Sequence, residues 1–167
     1  TSDSFTYDPE DPVPSIGSQY QTFDFCGPRD RSHIQLRPDV LTFTTDVLTE
    51  DLEITGPISA TVWASSDAID TDFTATLTDL EPEGKAIALC EGIVRARFRD
   101  GTENPQMIIP GKIYKFEIDM WNTSNSFNKG HRIRIEISSS NFPRYNRNLN
   151  SGNPIASDTN ITIANQT

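Results

Sequence analysis

Residues 131–148 read HRIRIEISSSNFPRYNRN. The first half alternates strictly. Ile133, Ile135 and Ile137 fall on one side of an extended chain, and Arg132, Arg134 and Glu136 on the other. That is the period of a half-buried β-strand, with the isoleucines inward and the charges outward. The second half breaks the pattern. Pro143 has no amide hydrogen, so the chain must leave the ladder before it. Asn141, Asn146 and Asn148 accept turn conformations and bond local backbone. The stretch therefore predicts a strand that turns a corner, with Phe142 or Tyr145 plugging the end of the layer below.

The same period recurs along the chain. Ile58, Ala60, Val62 and Ala64 oppose Ser59, Thr61, Trp63 and Ser65, and Phe73, Ala75 and Leu77 oppose Thr74, Thr76 and Thr78. Val94, Ala96 and Phe98 oppose Arg95, Arg97 and Arg99, while Tyr114, Phe116, Ile118 and Met120 oppose Lys115, Glu117 and Asp119. A further apolar group, Val40, Leu41, Phe43 and Val47, lies in 39–48. Turn pairs separate these runs: Gly56-Pro57, Glu83-Gly84, Asp100-Gly101, Pro110-Gly111 and Lys129-Gly130. No stretch carries a sustained helical period. Short alternating strands with Gly/Pro turns predict an all-β fold, an antiparallel two-sheet sandwich of Greek-key or jelly-roll type. Residues 1–20 contain three prolines and little periodicity, so they are read as an extended N-terminal arm ahead of a sandwich domain over 21–167.

Composition excludes several functions. The 14 basic against 24 acidic residues give a net charge of −10, which repels phosphate backbones and argues against nucleic-acid binding. No apolar run approaches the roughly 18–20 residues of a membrane span, so a soluble chain is expected, cytoplasmic rather than exported. The two cysteines, Cys26 and Cys90, are in no CxxC, and with two histidines they make no zinc-site spacing. They read as ordinary reduced thiols, although one disulfide is arithmetically open. Asn122-Thr-Ser, Asn160-Ile-Thr and Asn165-Gln-Thr match the glycosylation sequon, a pattern short enough to arise by chance.

Catalytic constellations are scarce. There is no Gly-x-Ser-x-Gly elbow, and neither His33 nor His131 adjoins an obvious nucleophile. Asp67, Asp70 and Asp72 offer oxygen ligands for calcium, but lack the EF-hand spacing and suit the capping of turn amides better. No metal or cofactor site is assigned. The Arg95, Arg97, Arg99 row either grips an anionic ligand or pairs with acidic neighbours such as Glu117 and Asp119, and the acidic balance favours pairing. Trp63, Trp121 and Tyr145 can stack on sugar rings, as in a carbohydrate-binding module, or bury against a partner domain.

Six motifs in one order carry a resemblance: YDPEDPVPSIG at 7–17, GPRDR at 27–31, DVLTFTTDVL at 39–48, EITGPISATVWASS at 53–66, DTDFTATLTDLEPEGKAIALCEGIVRARFRDG at 70–101 and GHRIRIEISSSNFPRYNRNLNSG at 130–152. Together the chain resembles the C-terminal domain of the X-Pro dipeptidyl-peptidase / cocaine esterase family of serine hydrolases, to which α-amino-acid ester hydrolases and glutaryl acylases are similar. The resemblance implies a non-catalytic jelly roll, similar to galactose-binding domains, that buttresses an α/β-hydrolase domain of the same polypeptide and shapes its cleft. The catalytic triad would lie upstream, so the chain alone is expected to be inert. Gln19 and Tyr20, in the loop from Ile16 to Gly27, are implied cleft-facing residues, and Arg144 and Tyr145 implied interdomain contacts. Two departures stand out. The family's Gly-Gly after PSIG is here Gly17-Ser18, and the sequence stops at ASDTNITIANQT, so the sandwich domain over 21–167 is expected to lack the family's final apolar C-terminal strand. The second departure predicts an open edge that another copy can fill, giving a homo-oligomer. A free-standing carbohydrate-binding module is the alternative, and a self-contained esterase a third reading.

Overall fold

The computed structural model describes residues 2–19, 26–154 and 157–167. Among the described residues eight strands are formed: β1 Phe5–Tyr7, β2 Leu41–Thr44, β3 Leu52–Ala64, β4 Asp72–Leu80, β5 Ala86–Arg95, β6 Tyr114–Phe127, β7 Arg132–Ser138 and β8 Ala164–Gln166. One-turn 3-10 helices occupy Ile34–Leu36 and Ala96–Phe98. All strand pairs are antiparallel. One sheet has the order β2-β7-β4-β5. In the other layer β3 pairs with β6, and β1 with β8. Ser65 and Thr167 exchange two backbone hydrogen bonds (2.8 and 3.0 Å), which attach β8 to the end of β3.

The sandwich interior is built by the apolar half of each alternation. Phe73, Ala75 and Leu77 of β4 meet Phe116, Ile118 and Met120 of β6, with Phe127, Ile137 and Cys90 around them. The Phe73 and Phe116 rings lie 4.6 Å apart between centroids. Burying a side chain of this size contributes roughly 1.5–3 kcal/mol. At Gly92 the layers touch backbone to backbone: a Cβ there would sit 2.0 Å from the Asp119 carbonyl oxygen. Only glycine permits that approach.

β4 departs from the half-buried reading. Thr74, Thr76 and Thr78, expected on the solvent face, are buried, and so is Glu136 on the neighbouring strand. The outer face of the four-stranded sheet is covered by the N-terminal arm together with the segment that carries Arg31, Ile34 and Gln35. Val13, Ile34 and Val40 form a second small core, with Ile16 against it. Residues 29–31 lie along the free edge of β5, where Arg31 N–H donates to Ala86 O (2.8 Å) and Ala88 N–H to Arg29 O (2.9 Å). Threonine suits such a position, because its methyl packs while its hydroxyl finds a carbonyl: Thr78 Oγ1 donates to Arg134 O at 3.2 Å.

Two further expectations are corrected. The run 92–101 is not one strand: β5 ends at Arg95, and the chain coils into the 3-10 turn at Ala96–Phe98. Arg97 N–H, released from any ladder, donates instead to the Asp70 carboxylate (2.9 Å). Phe142 does not plug the sandwich end; it is 40% exposed, with the Arg147 guanidinium 5.6 Å from its ring centroid.

Candidate functional site

The corner read from residues 139–148 is zipped to the arm. Phe142 N–H donates to Val13 O (2.9 Å) and Ser15 N–H to Phe142 O (2.7 Å), a parallel bridge across Pro14 and Phe142. Side chains complete it. Val13 N–H donates to Ser140 Oγ (2.9 Å) and Arg144 N–H to Ser15 Oγ (3.1 Å). Two of the sequence motifs, PSIG and SSSNFPRYNRN, are therefore one structural unit.

Buried charge locks that unit to the sheet. Glu91 on β5 and Glu136 on β7 both stand opposite Thr76 of β4, one from each side. Arg144 reaches in from the corner, its Nη1 2.7 Å from Glu91 Oε1. Burial pushes the Glu91 carboxyl above the usual carboxylate range, against the pull of Arg144 and Arg31. Arg31 enters from the segment just before the Ile34–Leu36 turn and donates through Nε and Nη2 to Glu136, and through Nη1 to Ile16 O of the arm (2.9 Å). Gln35 Nε2 adds a third donor to Glu136 at 2.8 Å. Both oxygens of Glu136 are met in this way, which makes a carboxylate taken out of water tolerable. Glu91, in contrast, has Arg144 on Oε1 and no hydrogen-bond partner on Oε2 among the described residues.

A second polar cluster ties the other loops. Asp72 and Asp70, at the head of β4, are buried. Arg95 binds Asp72 through two nitrogens (2.7 and 2.9 Å), and Arg97 Nε binds Asp70 (2.8 Å). Asn148 Nδ2 bridges both carboxylates, 2.9 Å from Asp70 and 2.8 Å from Asp72. The arginine row therefore pairs with acids, as its setting suggests, but not with the expected ones. Glu117 pairs with Lys115 on the exposed face, and Asp119 accepts from Trp121 N–H (2.8 Å). Arg99 pairs with Asp100 and lies over the Tyr114 ring. Asp67 is not in the cluster, since its carboxylate receives Asn165. Among the described residues no group of three or more His, Cys, Asp or Glu side chains is arranged to hold a metal ion.

Of the sequence-derived contact residues, Arg144 and Tyr145 sit on the zipped corner. Gln19 is half-buried, with Nε2 3.4 Å from Met120 O. Tyr20 lies outside the described residues. Arg144 and Tyr145 are half-buried, the guanidinium 5.1 Å from the tyrosine ring centroid. Burial raises the Tyr145 hydroxyl pKa. Gly17 and Ser18 both take positive φ, and Gly27 N–H closes the loop base on Ser18 O at 3.0 Å. His131 Nδ1 faces the Asp79 carboxylate at 2.9 Å, and among the described residues no hydroxyl or thiol bonds either histidine. Sequence reasoning missed Arg31, Gln35 and Asn148. GPRDR contains Arg31, NRNLN contains Asn148 and Gln35 lies just beyond GPRDR, but nothing local distinguishes a buried arginine or asparagine from a solvated one.

An antiparallel sandwich whose buried ion pairs hold its own arm and corner in place belongs, in architecture, to the β-sandwich domains. The chain belongs to the family described as the X-Pro dipeptidyl-peptidase C-terminal non-catalytic domain, whose model matches residues 2–166. It is 52% identical over 158 residues to the cocaine esterase of Rhodococcus sp. (strain MB1 Bresler), a match covering 93% of this chain and 27% of that protein. Two solved structures superpose closely. The aminopeptidase from the marine sediment archaeon Thaumarchaeota archaeon gives a TM-score of 0.87 at 28% identity, over 98% of this chain and 30% of that one. An α-amino acid ester hydrolase gives 0.86 at 27% identity, over 98% and 30%. These comparisons lend the carbohydrate-binding reading no support. Among the described residues no helix is long and apolar enough to cross a membrane.

Proposed function

We propose that the chain buttresses the catalytic domain of a larger ester- or amide-hydrolysing serine hydrolase and supplies part of one wall of its cleft. The observation that carries this reading is the zip between residues 13–15 and 140–144, anchored by Arg144 on buried Glu91. It presents the loop beginning at Gly17 on a rigid base, and a cleft wall needs that preorganisation. Gln19 and Tyr20 on the loop, with Arg144 and Tyr145 on the corner, are the contact residues of the proposal. Residues 1–20 serve as the arm that fastens the loop. The two free thiols, one exposed at Cys26, suit a reducing, cytoplasmic setting. Self-association through an open strand edge is a separate part of the reading, checked by sedimentation of the full-length protein.

The test is kinetic and uses the full-length enzyme. Gln19→Ala and Tyr20→Ala are compared with the parent on esters of small and bulky acyl groups. A changed ratio of kcat/KM between the two esters, at unchanged melting temperature, is expected. An unchanged ratio in both variants overturns the cleft-wall role.

A further inference from the structure

Among the described residues the non-glycine residues with positive φ are Ser18, Trp121 and Asn150. Two of them lie at one place in the fold. Between the pairs Pro57–Asn122 and Ser59–Asp119 the register of β3 against β6 shifts, so that Ile58 alone stands opposite Met120 and Trp121. This is a β-bulge, and Trp121 takes its left-handed position, with φ +68°. Asp119 Oδ1 accepts the Trp121 N–H (2.8 Å) and fixes the turn. The next carbonyl back, Met120 O, accepts Gln19 Nε2 (3.4 Å), which joins the bulge to the loop that begins at Gly17 and Ser18. Both are seated on β5: the Asp119 carbonyl lies against Gly92, and Gly17 against Ala88.

A left-handed position in a bulge favours glycine, because a Cβ is strained there. Trp121 recovers little of that strain by burial, since it is 61% exposed. Every other exposed residue of β6 is polar, from Lys115 to Ser126. A tryptophan held in backbone suited to glycine, with its ring in solvent on a polar face, is explained by neither packing nor local propensity. Strained residues of this kind cluster at binding and catalytic sites, and bulges there re-aim side chains.

We propose that Trp121 is a specificity-determining residue of the cleft wall, offering its indole face beside Gln19 to a flat apolar acyl group of the ester. The proposal rests on the cleft-wall reading of the chain and adds a residue from the sheet itself to a wall made by loop and corner. An indole fixed on a strand loses little freedom when it is covered, and its face accepts a flat apolar group.

The experiment is kinetic and uses the full-length enzyme, with nitrophenyl esters of naphthoic acid, which is flat, of adamantanecarboxylic acid, which is bulky but round, and of acetic acid. Trp121→Gly removes the ring and suits the backbone. Its kcat/KM ratio of naphthoate to acetate is expected to fall by roughly two- to tenfold, the range that an aromatic contact supplies. The ratio of adamantanecarboxylate to acetate is expected to fall less. The melting temperature is expected at or above the parent's, because glycine relieves the strain. Trp121→Phe keeps a flat ring and is expected to retain most of the naphthoate preference. An unchanged naphthoate ratio in Trp121→Gly overturns the proposal. A lowered melting temperature with an unchanged ratio also overturns it, in favour of a ring packed on the catalytic unit. Equal falls for the flat and the round acyl group overturn the stacking contact. Gln19→Ala and Tyr20→Ala in the same assay separate the two readings. A changed ratio in either of them with an unchanged one in Trp121→Gly defeats this inference alone. Unchanged ratios in all three variants defeat the cleft-wall reading with it. A changed ratio in Trp121→Gly alone bears the inference out and removes the loop from the wall.

Discussion

Arg31 Nη2 lies 2.8 Å from Glu136 Oε2, and the two side chains are 2% and 3% exposed. This buried pair joins the segment around residue 31 to the middle of the four-stranded sheet, and the same guanidinium donates to Ile16 O of the arm. It faces the same polar layer as the Arg144–Glu91 pair, so the segments on both sides of the sheet sequence are fastened by charge to one strand face.

Removing one partner leaves the other charged, buried and unmet, a change that costs about 3–5 kcal/mol. Arg31→Met and Glu136→Leu are each expected to lose stability of that order in urea unfolding. The double variant is expected to lose less than the sum, because no orphan charge remains. Strict additivity in the double-mutant cycle would show that the pair is not coupled.

Gly92→Ala places a methyl group 2.0 Å from the Asp119 carbonyl oxygen, which is backbone and cannot swing aside. The layers must separate locally, at a cost near the top of the roughly 1–3 kcal/mol seen for overpacking. Gly84→Ala, whose Cβ meets nothing within 4 Å, is the control and carries only the strain of its φ of +92°. Equal melting temperatures for the two variants would refute the close-approach reading.

Alkaline pH reports on two buried groups. The Tyr7 hydroxyl donates to Asn148 O at 3.1 Å, and burial, followed by the Asp72 charge, raises its pKa above the usual 10.0. Burial, with Glu91 nearby, pushes the Cys90 thiol up to about 11 from 9.0. Both folded values exceed the unfolded ones, so the folded chain holds protons that the unfolded chain releases. The resulting stability is complete below pH 9 and is lost as pH rises through 9 to 11 for Cys90, and above 10 for Tyr7. Unfolding free energy measured across pH 8–11 is expected to fall, and Tyr7→Phe to shallow the upper part of that fall. A flat profile would contradict the burial of both groups.

Much of the architecture was legible before any coordinates. The isoleucines of β7, the Phe73-Ala75-Leu77 face and the Phe116-Ile118-Met120 face all alternate, and all turn inward or lie half-buried. The corner at Pro143 was legible too, because proline cannot donate to a ladder. The polar half of the four-stranded sheet was not. Thr76, Glu91 and Glu136 look like a solvent face because alternation marks which side is polar, and whether that side meets water depends on what else covers it. Here the cover is the arm and the segment around Arg31 and Ile34, neither of which carries a strand periodicity of its own. The partners of the arginine row were misplaced for a related reason. Alternation put Arg97 on a strand, whereas the turn after Arg95 swings it toward Asp70.

The sequence by itself determined the all-β class, the inward faces and the family, because side-chain period and motif order are properties of the chain alone. The tertiary structure decided which polar residues are buried and which charges meet. Arg31 and Glu136 are separated by 105 positions. A contact across that distance depends on how covering segments pack, and a local pattern carries no record of what will lie above it.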